Sequence, residues 1–192
     1  MGCIGMSNHK FEKDLMQPMG LMTSFRWETE PKGVLFMLAR YKFVAKMLDG
    51  YGSVIEVGCG DGFGARIVRP SVGRLTGIDI DKAMIASANA NQRKYGIEFK
   101  ATSTPEKCDA IYSLDVIEHM SHKDSLEWLN ELASYAPLVI IGSPSYESQK
   151  YASKLSRENH INCMTQTDLK AAMKRYFNHV LCFSMHDEIV DT

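Results

Sequence analysis

Val54-Ile55-Glu56-Val57-Gly58-Cys59-Gly60-Asp61-Gly62-Phe63-Gly64 is the stretch that decides the fold. Its first four residues, β-branched and apolar except for Glu56, read as a buried strand. Glycines at 58, 60, 62 and 64 follow, and Ala65-Arg66-Ile67-Val68 restarts as a helix. Glycine lets the chain turn sharply after a strand and lets a ligand approach the backbone with no Cβ in the way. The helix start offers N–H groups and partial positive charge to an anionic group. Strand, glycine turn and helix together open a nucleotide-binding α/β sheet.

The details around the glycines bear on which ligand. A dinucleotide site wants G-x-G-x-x-G or G-x-G-x-x-A directly after the strand. Gly58-x-Gly60-x-x-Phe63 fails that test, while Gly60-x-Gly62-x-x-Ala65 passes it two residues late. Glu56-x-Gly58-x-Gly60-x-Gly62 instead resembles the first motif of class I S-adenosylmethionine-dependent methyltransferases. An acid at the mouth also suits a cationic sulfonium better than a pyrophosphate. The resemblance extends over roughly residues 31–190. It implies a doubly wound, mostly parallel sheet flanked by helices, the Rossmann-like methyltransferase fold. It also implies that Glu56 positions the cofactor's ammonium, with Gly58, Cys59 and Gly60 around its methionine end.

The 192 residues fit one domain with a sizeable core. We divide them into a segment or lid over 1–30 and a cofactor-binding domain over 31–192. A formal charge of −1 supplies no global field for nucleic acid or an anionic membrane. The five cysteines lack any C-x-x-C pair, which fits free thiols in a reducing cytoplasm. No apolar run is long enough to span a membrane. Met1-Gly2-Cys3 invites an acylation reading, but the serine stands at 7 where that pattern wants it at 6; an untethered, poorly ordered start is expected.

Residues 1–30 show no clear period, although Phe11, Leu15, Leu21, Met22, Phe25 and Trp27 could pack as a lid. From Pro31 the spacing of Leu35, Leu38, Tyr41, Val44, Ala45 and Leu48 predicts an amphipathic helix. Arg40, Lys42 and Lys46 fall on its expected solvated face. Leu75 to Ile80 predicts the second strand, with Asp79 lying 23 residues beyond Glu56. That is near the offset where such folds set an acid against ribose hydroxyls. Asp81 is free to cap the next helix, leaving Asp79 for the sugar. Ile97–Ala101 reads as a third strand; Ile80 and Thr102 are candidates to flank the adenine.

Asp109 to Asp115 reads as the fourth strand, leading into Val116-Ile117-Glu118-His119-Met120. "LDVIEHM" again resembles the family and implies that Leu114 and Asp115 hold the cofactor's amino group. Ligands of such sheets bind beyond the carboxyl ends of the strands, so Asp115, Glu118 and His119 converge there. Methyl transfer needs chiefly alignment, but a hydroxyl acceptor must also lose a proton. Imidazole is the matched base, which makes His119 a catalytic candidate; the alternative is that Glu118 and His119 only shape the next helix start. His160, in a "GHVN"-like Glu158-Asn159-His160-Ile161-Asn162, is the second candidate. Our site assignment contains no metal. Asp115-x-x-Glu118-His119 with His160 would nonetheless suit a divalent ion, as in some small-RNA 2′-O-methyltransferase and ubiquinone-pathway relatives.

Ser121-x-x-Asp124 and Thr165-x-x-Asp168 predict helix starts. Leu138–Ile141 reads as a central strand. Tyr146–Cys163 reads as a lid-like loop, and His179–Val190 as a further strand. The chain then stops at Thr192, short of the family's last antiparallel strand, so a truncation, a partner filling the slot or a shorter sheet are the alternatives. The resulting expectation is methyl transfer from S-adenosylmethionine to a small molecule, at a hydroxyl oxygen. No nucleic-acid or membrane partner is expected, and a homo-oligomer through the exposed sheet edge is possible. A nicotinamide-dependent oxidoreductase and a non-catalytic cofactor-binding subunit are the rival readings.

Overall fold

A computed structural model describes residues 18–185. Five strands form one sheet: β1 (Ser53–Val57), β2 (Arg74–Asp79), β3 (Ile97–Ala101), β4 (Ala110–Leu114) and β5 (Leu138–Gly142). They lie in the order β3-β2-β1-β4-β5, and every pair is parallel. The order reverses between β1 and β4, and their carboxyl ends open the crevice where such sheets take ligands.

Alternation along β1 explains the two layers. Val54 faces a core built with α2 (Pro31–Met47), α3 (Ala65–Val68) and α4 (Lys82–Asn91). Ile55 and Val57 face the opposite core, closed by α5 (His122–Tyr135). A third cluster joins α5 to α7 (Gln166–Met173) through Leu129, Ala172 and Met173. The capping expectations hold: Asp124 N–H donates to Ser121 Oγ, Asp168 N–H to Thr165 Oγ1, and Ala83 N–H to Asp81 Oδ1.

Several expectations change. A helix, α1 (Leu21–Thr29), stands where the sequence showed no period, because Thr23 rather than an apolar stripe anchors it. On α2 the buried stripe is Val34, Met37, Tyr41, Val44 and Leu48, and Leu35 is 66% exposed. Both sets keep helical spacing and share Tyr41, Val44 and Leu48; in the first half of the helix it is Val34 and Met37 that meet the core. β2 ends one residue early, leaving Ile80 77% exposed. β5 is an edge, half-buried along its length, because no described strand pairs with its outer side. The loop after β5 contains a 3₁₀ turn, Tyr146–Tyr151, and a helix, α6 (Lys154–Asn159). Residues 179–185 form no strand. Val180 joins the α5–α7 cluster and Phe183 meets the Phe43 ring on α2 at 5.1 Å, so this segment runs from one layer to the other. The expectations for Met1-Gly2-Cys3, Phe11, Leu15 and 186–190 lie outside the described residues.

Candidate active site

The glycine loop leaves β1 still paired to its neighbour: Gly58 N–H and Cys59 N–H both donate to Ile78 O. Gly58 has φ +78, and a Cβ there would collide with Val116 Cγ2, so neither backbone nor space admits another residue. At Gly60 (φ +54) the space a Cβ would take is met at 2.9 Å by the methyl of Met22, the far end of a flexible chain. Asp79 pins this loop. Its Oδ2 accepts from Gly60 N–H at 2.8 Å and its Oδ1 from Asp81 N–H at 2.9 Å. Each carboxylate oxygen keeps a second lone pair for a ligand hydroxyl. Burial, then the Glu56 carboxylate, push the Cys59 thiol far up, so it stays protonated and bonds Gly60 O.

Glu56 is only 1% exposed. Tyr41 OH donates to its Oε1 at 2.6 Å and Tyr112 OH to its Oε2 at 2.9 Å. Burial raises its pKa to about 8 against these two hydrogen bonds, with Asp61 and Asp79 adding to the rise. The acid of the motif is therefore a sealed, proton-holding group beneath the loop. The unfolded chain would release that proton near the ordinary carboxyl value, so it binds fewer protons than the folded chain up to about pH 8. This group's contribution to stability consequently falls as pH rises from about 4.5 to about 8 and then levels. Glu56→Gln, which cannot ionise, should flatten that fall in Tm measured across this window. An unchanged slope would remove Glu56 as its source.

The end of β4 carries the second half of the site. Asp115 holds φ +57, a left-handed conformation unusual outside glycine, supported by its N–H donating to Gly142 O at 2.8 Å. Its Oδ2 pairs with Arg40 Nη2 at 2.7 Å. Arg40 is thus not on a solvated face: placed at the border of the buried stripe, it reaches over α2 to the strand end. Asp115 Oδ1 and Arg40 Nε are both buried without a partner.

Two histidines meet beside this pair. His119 Nδ1 lies 3.0 Å from Asn159 O, and the His119 and His160 rings stand edge to face at 5.1 Å. The 159–162 segment is fastened there because Ile161 N–H and Asn162 N–H donate to Glu118 O. Glu118 is fully buried, accepts from Ser143 Oγ at 3.2 Å, and leaves Oε1 unpartnered. Burial first and Asp115 second push its pKa up to about 7. Burial, His119 and Arg26 lower that of His160, against the pull of Asp115. One ligand atom each from Glu118, His119 and His160 lie within 4.8 Å of one another.

The structure thus brings Asp115, His119 and His160 together, with Gly58, Gly60 and Asp79 on the neighbouring strand ends. Leu114 is buried at the end of β4. Thr102 accepts from Thr104 N–H and lines a small cavity with Ser53, Arg74 and Thr76, away from the glycines. Sequence reasoning missed Arg40, the two phenols on Glu56, and Asp61. Asp61 Oδ2 accepts from Thr23 N–H at 2.7 Å, and Oδ1 from Thr23 Oγ1 at 3.0 Å and Phe63 N–H at 3.2 Å. An acid set between two loop glycines was the one visible signal for it.

Known proteins share this architecture. Magnesium protoporphyrin IX methyltransferase from Synechocystis PCC 6803, solved with bound SAH, aligns with TM-score 0.61 and 18% identity over 73% of this chain and 72% of that one. The plantazolicin methyltransferase BpumL, in complex with SAH, aligns at 0.61 and 19% over 80% and 67%. The methyltransferase domain of bacterial CtHen1-C aligns at 0.60 and 20% over 73% and 83%. No curated protein matches in sequence. A family model described as a methyltransferase domain matches residues 30–176, which sets the nicotinamide reading aside. With the glycine crevice and the β4 cluster both inside that span, the chain belongs to the methyltransferase-domain family.

Proposed function

We propose that the chain moves a methyl group from S-adenosylmethionine to a hydroxyl oxygen of a small molecule, with the His119–His160 pair taking the acceptor's proton. The observation that carries this reading is the meeting of two imidazoles, from residues far apart in sequence, beside a half-buried acid–guanidinium pair at the switch point. The residues fit the cofactor. Unpartnered Asp115 Oδ1 and Arg40 Nε offer an acceptor to an ammonium and a donor to a carboxylate. Asp79 retains lone pairs for ribose hydroxyls, and at Gly60 the atom standing where a ligand would approach is the flexible end of Met22. Of the two adenine candidates, Ile80 stands exposed beyond β2 and is retained, whereas Thr102 lines the cavity away from the glycines and is not; Glu56 acts from below by holding Tyr41 and Tyr112. Bound there, S-adenosylmethionine supplies a methyl group on a positively charged sulfur.

The proton is handled by the chain itself. Asn159 O can only accept, so His119 Nδ1 carries the hydrogen and Nε2 presents a lone pair. His160 beside it has its proton affinity lowered, chiefly by burial. The acceptor's proton passes to an imidazole nitrogen as its oxygen takes the methyl. The chain is placed in the cytoplasm as part of the same reading, and the β5 edge is its candidate homo-oligomer contact; no described helix is long and apolar enough to cross a membrane.

One observation favours a second reading. Glu118, His119 and His160 offer the oxygen–nitrogen donor set of a divalent cation site, which would lower the acceptor hydroxyl's pKa instead of using a free base. Labelled S-adenosylmethionine offered with hydroxyl and amino acceptors should yield O-methyl products. N-methyl products alone would overturn the oxygen assignment, and cofactor binding with no turnover would favour a non-catalytic subunit. Activity that survives a chelator supports the histidine base; activity lost and restored by added Mg²⁺ or Mn²⁺ supports the ion.

A further inference from the structure

We infer that Arg26 is the docking point for an anionic oxyacid group, carboxylate or phosphate, on the methyl acceptor; this rests on the O-methylation reading above. Helix starts are normally capped by a side chain at the preceding residue. At the start of α1 that residue is Gly20, which has none, and Asp61 from the glycine loop takes its place on Thr23 N–H. A Cβ at Gly20 would come within 2.5 Å of Asp61 Oδ2, so the cap's absence and the distant carboxylate fit one another. Leu21 N–H donates to Ser87 Oγ at 3.2 Å, and the Met22 methyl rests on Gly60. The register of α1 over the site is thereby fixed.

One turn beyond Met22, the half-buried Arg26 runs along α2, its Cδ 3.6 Å from where a Cβ at Gly33 would stand. Gly33, Met37 and Arg40 follow at helical spacing, so both arginines are carried toward the crevice. Their circumstances differ. Arg40 has Asp115, whereas Arg26 makes no ion pair with any described residue. Glu30, beside the same glycine, stays beyond ion-pair distance of it. The charge of Arg26 is also felt at the His160 ring. A guanidinium held in register on the side of the imidazole pair, and lacking a carboxylate, is complementary to a planar anion that it can grip with two N–H groups. An acceptor anchored there would present its hydroxyl to His119 and His160.

The test uses charge-matched probes on protein loaded with S-adenosylhomocysteine. 4-Hydroxybenzoate, 4-hydroxyphenyl phosphate and the neutral 4-hydroxybenzamide, with their 3-hydroxy isomers, are titrated by NMR. The anionic probes should bind about 10-fold or more tightly than the amide, as a charge-assisted contact implies. Arg26→Gln should erase the difference, and Arg26→Lys should keep part of it. The carboxylate and phosphate arms separate the two sources of the anion. Equal affinities in the unaltered protein, no measurable binding of any probe, or a preference surviving Arg26→Gln would overturn the assignment. Weaker S-adenosylhomocysteine binding in Arg26→Gln would also overturn it, by moving Arg26 to the cofactor's own carboxylate. Arg26-dependent binding of a probe that is not methylated when S-adenosylmethionine replaces S-adenosylhomocysteine would support the anion subsite while counting against the O-methylation reading.

Discussion

His119→Ala should slow methyl transfer by about 10²- to 10⁴-fold, the range a positioned general base supplies, and leave S-adenosylhomocysteine affinity within about 3-fold. The split comes from geometry. The His119 ring bonds Asn159 O and faces His160, whereas the proposed cofactor contacts lie at Asp79, Asp115 and the glycine turn. The segment at 159–162 keeps its two backbone bonds to Glu118 O in the variant, so the crevice wall stays in place. Calorimetric titration reads the affinity, and steady-state transfer to the best hydroxyl acceptor reads the rate. Unchanged turnover would remove His119 from the chemistry. An equal loss of cofactor affinity would make it a structural residue.

Asp79→Ala should weaken S-adenosylhomocysteine binding by about 10²- to 10³-fold. Two effects combine. The ligand's hydroxyls lose a charged acceptor, worth about 1.5–3 kcal/mol per bond. The loop also loses the oxygen that holds Gly60 N–H, so the turn is no longer set before the ligand arrives. Asp79→Asn retains one carbonyl oxygen and should fall between, near 10-fold. Asp81 still caps α4 in both variants, so the thermal transition should move little. Binding within about 3-fold of the unaltered protein in Asp79→Ala would end the ribose assignment.

The sheet was largely legible because its information is local. Five of the expected strands appear within a residue of their predicted places, since a strand of this sheet is written in a short local run of apolar or alternating residues. Leu138–Ile141 has the same composition yet lies at the edge, because sheet order depends on which strands later in the chain pair with it, and composition does not encode that. His119 and His160 were each visible, but only the two bonds to Glu118 O show that 40 intervening residues return the second beside the first. Arg40 was misread for a related reason. A charge next to an apolar stripe looks solvated until the strand end it reaches is known. α1 was invisible because its anchor is a threonine bound to a loop acid 38 residues away, a pairing with no periodic trace.

That borrowed cap has a practical corollary for recombining domains. Because the start of α1 is completed by a carboxylate from another part of the chain, the helix is not a portable module. A chimera that grafts residues 18–30 onto a relative lacking an acid at the position of Asp61 would import an unfinished helix start. One that carries Gly20, Thr23 and the loop acid together should transplant it folded.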